Sequence, residues 1–187
     1  MKLITIVIAL FFKIPYSSAQ SNFNSSTIAD SLKKNANAVY RLDEGVIEIK
    51  SPGSYTFKNH QVITILNTAG LSHLIQSFNV SKFHNLENVQ VKIYDSSGAE
   101  IKKYKKKDFT SQVYTDESTL LSDDKILYLQ AFSPSIPCTI EIESEQRITS
   151  FIELPDWVIK APHISVEKTK LTVQTQEEFD IRYNVKI

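Results

Sequence analysis

Cysteine is nearly absent: Cys138 stands alone in 187 residues. A single thiol allows no internal disulfide, so packing has to supply the stability. An apolar content of 42% is adequate for that. Glycine is scarce too. Gly45, Gly53, Gly70 and Gly98 are isolated from one another, which excludes a phosphate-cradling glycine-rich loop and a G-x-S-x-G nucleophile elbow. Charge of one sign is not in excess, with 21 basic and 21 acidic residues, whereas nucleic-acid-binding domains carry a strongly basic balance. Long hydrophobic runs are missing as well. The sustained apolar run, Leu3 to Phe12, is ten residues, and a membrane-spanning helix needs ~20.

That short run has another use. It follows a lysine start and precedes small residues, Ser17 and Ala19, at −3 and −1 of a cut before Gln20. This is the pattern of a secretory signal peptide over residues 1–19. Its removal takes Lys2 and Lys13 and no acid, leaving two more acids than bases. The expectation is therefore an exported chain with no membrane span after processing. The lack of disulfides suits the periplasm or cell envelope of a bacterium. Asn24-Ser25-Ser26 and Asn79-Val80-Ser81 match the glycosylation sequon, a triplet that arises often by chance.

The polar stretch 20–27 reads as a flexible lead. Ile28, Leu32 and Ala36 then fall at helical spacing, predicting a short helix from Ile28 to Asn35 capped by Ser26 or Thr27. From there the period is two. Val46–Lys50 alternates, Ser51–Ser54 is a turn, and Tyr55–Lys58 resumes a strand. Gln61–Asn67 is nearly continuous in β-branched residues and reads as a central strand. Further strands are predicted over Val89–Tyr94, Ile126–Phe132, Thr139–Ile148, His163–Thr175 and Asp180–Ile187. Seven or more short strands and one small helix argue for an all-β sandwich over residues 28–187. The final strand stops while Ile181, Tyr183, Val185 and Ile187 still alternate, which suggests a domain cut short at its C-terminal end.

Candidate chemistry is thin. Lys102, Lys103, Lys105, Lys106 and Lys107 follow the turn Asp95–Gly98. They read as a solvated edge, or as a charge-paired one beside Glu141, Glu143 and Glu145, which share one face of their strand. A polyanion site is the alternative. Cys138 lies between Pro137 and a strand, with no histidine near it in sequence, and reads as a buried structural cysteine. His60, His73, His84 and His163 are scattered and match no zinc motif. Asp123-Asp124 reads as a turn rather than as paired catalytic carboxylates. Trp157, between Pro155 and Pro162, either anchors a loop or offers a face for stacking on a sugar. No catalytic residue, cofactor or metal ligand is assigned.

Five stretches taken together carry a resemblance: SLKKNANAVYRLDE (31–44), ITILNTAGLSH (63–73), VKIYDSSGAEIKKYKKKDF (91–109), LLSDDKILYL (120–129) and LPDWVIKAPHISVEKTKLTV (154–173). Their order and spacing resemble the N-terminal domain of unknown function that precedes a transglutaminase-like core in secreted bacterial proteins. The resemblance implies an immunoglobulin-like β-sandwich and an envelope or periplasmic location. It also implies that a Cys-His-Asp triad would lie in a following domain. The function expected is a non-catalytic interaction or positioning module whose partner is a protein domain or an envelope component. A carbohydrate-binding module, and the N-terminal fragment of a transglutaminase-like or protease-like enzyme, are the alternatives.

Overall fold

The computed structural model describes residues 23–113, 124–149, 154–159 and 161–175. The leader 1–19, the Ala19/Gln20 cut and the strand expected at 180–187 lie outside the described residues. Among those described, no helix is long and apolar enough to cross a membrane.

The fold is an all-β, sandwich-like pair of sheets, as the alternation predicts. Ten strands are described: β1 (Ala38–Ser51), β2 (Ser54–Ile65), β3 (Ile75–Val80), β4 (His84–Tyr94), β5 (Glu100–Lys105), β6 (Thr110–Val113), β7 (Lys125–Gln130), β8 (Cys138–Ile148), β9 (Ile164–Val166) and β10 (Thr169–Gln174). The large sheet has the order β10-β1-β2-β8-β4-β5, with β9 also on β1; the small sheet is β3-β7-β6. Strands β9 and β10 run parallel to β1, and the other pairs of the large sheet are antiparallel.

Period-two alternation divides the large sheet into two faces. Ile63, Ile65, Val89, Val91, Ile93, Ile140 and Ile142 face inward. There they meet Leu74, Phe109, Leu129 and Ala131, on or beside the small sheet. At the far end of the same face, Ile47, Ile49, Tyr55 and Ile148 form a second cluster, covered by Leu154 and Leu171. The outer face carries a patch of its own: Phe23, Val62 and Tyr94, with Leu42 beside them.

That outer patch corrects the expected flexible lead. From Phe23 onward the lead is docked. The Phe23 ring meets Tyr94 edge-on at 4.7 Å, and the Ser25 amide donates to the Ser96 carbonyl at 3.0 Å. Burying one such ring contributes roughly 1.5–3 kcal/mol, enough to hold a polar segment against the sheet. The helix that follows is shorter than its periodicity predicts. The α-helix α1 spans Asp30–Lys33 only, and its cap is Ala29 without a side-chain bond. Asn35, at φ 61°, turns the chain out of it.

Two strands are also longer than predicted. The runs Tyr55–Lys58 and Gln61–Ile65 belong to one strand, β2, with Leu66 and Asn67 beyond its end, and β1 begins at Ala38 rather than Val46. The residues that broke the pattern, Asp43, Asn59 and Gln61, are polar at inward positions. Strands β3 and β6 were not anticipated, since their alternation rests on few apolar residues.

The Asp95–Gly98 turn is formed as expected. Asp95 Oδ1 accepts from the Ser97 and Ala99 amides, and Gly98 sits at φ +88°. A Cβ on Gly98 would lie 2.8 Å from the Asn24 amide nitrogen, whereas one on Gly53 meets nothing within 4 Å. Gly98→Ala should therefore destabilise the fold by more than ~1 kcal/mol. Gly53→Ala should stay within ~0.5 kcal/mol of the parent. Urea midpoints of the two variants check this, and equal midpoints would refute it.

Candidate functional site

Polar groups gather at two places, one on each face of the large sheet. On the outer face, cross-strand register brings β2, β8 and β4 together. Val62 faces Glu141, which faces Lys92; His60 faces Glu143, which faces Gln90. Glu141 is 6% exposed, and its carboxylate is fully engaged. His60 Nε2 donates to Oε1 at 2.9 Å. Lys92 Nζ and the Tyr94 hydroxyl donate to Oε2 at 2.9 and 2.7 Å. Thr64 and Thr139 share a buried hydroxyl–hydroxyl bond of 2.8 Å.

Burial alone would raise the Glu141 pKa. The hydrogen bonds from His60, Tyr94 and Lys92, with the charge of Lys92, outweigh it and hold the carboxyl at about 2. The Glu141 bond raises His60 above its ordinary value against the opposing effect of burial. Burial, followed by the bond to Glu141, pushes the Tyr94 hydroxyl up.

His60, Glu141 and Glu143 place three ligand atoms within 4.8 Å of one another. A divalent cation there would have to displace the Lys92 ammonium, which already neutralises Glu141. The arrangement acts as a charge-neutral tie across three strands.

This geometry corrects the expected partner of the lysine run. Strand β5 is an edge strand, as predicted, but it pairs with β4 and not with β8. Lys103 lies opposite Lys92 and Lys105 opposite Gln90. Glu141 takes its lysine from β4; Glu143 meets Gln90 at 3.3 Å and lies near His60. The run lysines are exposed. Lys102 lies over the Tyr104 ring at 5.3 Å, and Lys106 donates to the Leu86 carbonyl.

The second place is the inner face, where Asp43, Asn59 and Gln61 stand at neighbouring inward positions of β1 and β2. Gln61 Nε2 donates to Asp43 Oδ1 at 2.8 Å. Asp43 is 7% exposed, and burial raises its pKa above the ordinary value, a rise that the Gln61 bond only opposes. Among the described residues, Asn59 Oδ1 is buried without a hydrogen-bond partner. A cavity of about 300 Å³ opens over these groups, with Tyr40 at its wall and residues 155–159 with Ala161 as its roof.

Trp157 belongs to that roof. It is half-buried, and its indole Nε1 donates to Thr169 Oγ1 at 2.9 Å. Its ring lies over Gly45, where a Cβ would come within 2.6 Å of Cζ3. One part of the ring thus anchors the loop and another lines the cavity. Cys138 is 0% exposed, and burial pushes its thiol pKa up, with a Ser133 bond opposing. His73 contacts Tyr40 at the edge of the main core, and His84 bonds Ser81. Sequence reasoning singled out Trp157 but missed Asp43, Asn59 and Gln61. The available signal was the unexplained polar breaks in two otherwise apolar strands.

The outer-face tie makes stability depend on pH in two directions. The Glu141 contribution is fully present above its ordinary value of 4.5 and is lost as pH falls toward about 2. The His60 contribution is fully present below 6.5 and fades as pH rises through its elevated pKa. Urea midpoints should therefore differ least between parent and Glu141→Gln at the acid end. Parent and His60→Gln should converge at the alkaline end. Differences that stay constant from pH 3 to 9 would rule this out.

Comparison with known proteins adds the following. A family described as a domain of unknown function with solved structure, DUF3857, matches residues 51–186. No curated protein matches the sequence. A solved structure from Parabacteroides distasonis, described as a "putative protease", is similar with a TM-score of 0.61 at 13% identity. The similarity covers 75% of this chain and 29% of that one, so this chain corresponds to less than a third of that protein's length.

Proposed function

Because the chain belongs to the DUF3857 family, a domain of unknown function, we propose that it is a non-catalytic, exported β-sandwich module. It serves as an interaction or positioning domain for a transglutaminase-like or protease-like catalytic domain, to which it stands N-terminal. The observation that carries this reading is the use made of Cys138. The only thiol of the chain sits at 0% exposure in the main core cluster, with its pKa pushed up by burial. A nucleophilic thiol needs access and a lowered pKa. The outer-face histidine and carboxylate are likewise spent on a structural tie. The similarity over 29% of a larger protein supports a role beside another domain, and the leader pattern of residues 1–19 supports export.

A second reading, sugar binding by an envelope module, draws on the half-buried Trp157 at the wall of a cavity.

The purified chain should show no amide-hydrolysing or amide-transferring activity. Cys138 should react with a thiol reagent such as DTNB only after denaturant unfolds the protein. An activity that disappears in Cys138→Ser would overturn the proposal. Genomic sequence beyond the codon for Ile187 tests the pairing with a catalytic domain. A downstream frame with cysteine, histidine and aspartate in transglutaminase-like order is the expected outcome.

A further inference from the structure

The inner-face cavity has a chemical bias. Asp43, Asn59, Gln61 and Asp156 line it together with the aromatic rings of Tyr40, Phe57 and Trp157, and no described lining residue is basic. Asp43 is more than nine-tenths buried. Its bond comes from a neutral amide, Gln61, not from a cation. A carboxylate taken out of water without a counter-charge is costly. Asn59 Oδ1 is a second buried acceptor, and it has no donor among the described residues. Asp156 adds an exposed acid at the rim. The groups left without a matching partner all ask for the same things, a positive charge and N–H donors. An indole beside them adds an aromatic face, whose quadrupole attracts cations.

We propose that this cavity is a binding site for a primary ammonium group on an unbranched alkyl stem. The ammonium bridges Asp43 and Asn59 Oδ1, and the stem lies against Trp157. A volume of about 300 Å³ is at the lower end of the ~300–1,000 Å³ of ligand pockets. It suits one such group rather than a long ligand. This inference is independent of the positioning role proposed above and stands or falls separately from it.

The chain holds one tryptophan, so its intrinsic fluorescence reports on this wall. Butylammonium chloride titrated into the purified chain should give a saturable change in Trp157 emission. Sodium chloride and 1-butanol at matched concentrations should not. Asp43→Asn keeps the shape and the Gln61 contact and should weaken the response at least tenfold. If Asp43→Asn fails to fold, Asn59→Leu serves instead, since it removes an unpaired acceptor; it should weaken binding several-fold while raising the urea midpoint. A lysine capped as acetyl-lysine methylamide separates the two sources of the group. Tighter binding than butylammonium assigns the site to a protein lysine, and equal binding assigns it to a free alkylamine. No saturable change, an equal response to 1-butanol, or an unchanged response in the variants would overturn the proposal.

Discussion

A long sheet whose inner face must be covered along its whole length sets the rest of this structure. Strands β1, β2, β4 and β8 run 14, 12, 11 and 11 residues. At roughly 3.3 Å per residue they reach well beyond strands of 4 to 6 residues. The small sheet has only such strands, so it covers one end of the face. Leu154, the loop that follows it and Leu171 cover the other end. The main core lies under the first cover and the Ile47–Ile148 cluster under the second. Between the two clusters the face changes from isoleucine and valine to Asp43, Asn59 and Gln61, and there the cavity opens beneath that loop.

The outer face solves a different problem. Among the described residues no second sheet covers it, and it carries a charge-neutral tie and a small aromatic patch. Glu141 joins three strands by accepting from His60, Tyr94 and Lys92. Tyr94 is also the surface on which Phe23 docks. One side chain thus links the electrostatic tie to the anchoring of the N-terminal segment. The Asp95–Gly98 turn completes that anchor from below, because only an unsubstituted α-carbon admits the backbone of Phe23 and Asn24 so closely.

The two faces differ in how their polar groups are satisfied. On the outer face donors and acceptors match, and the ionisable groups stabilise the sheet. On the inner face acceptors exceed donors among the described residues: a buried carboxylate meets one amide, and the Asn59 oxygen has no donor. Buried polar atoms without partners are rare in native folds. Their convergence on one cavity separates this place from the scaffold around it.

The sequence by itself determined the all-β class, the positions of most strands, the Asp95–Gly98 turn, the shared face of Glu141, Glu143 and Glu145, and the buried role of Cys138. Each follows from local alternation or from the φ preference of one residue, and both are written in adjacent positions. Tertiary structure alone decided which strand lies beside which. It placed β4 between the lysine edge and the glutamates, and it gave Glu141 the lysine of β4. It also joined β2 across its polar break and brought a loop more than a hundred residues away over Asp43. Inward polar residues read as strand ends when only sequence neighbours are visible. They become a site once a distant tryptophan is packed above them, because a cavity is made by the chain that covers it.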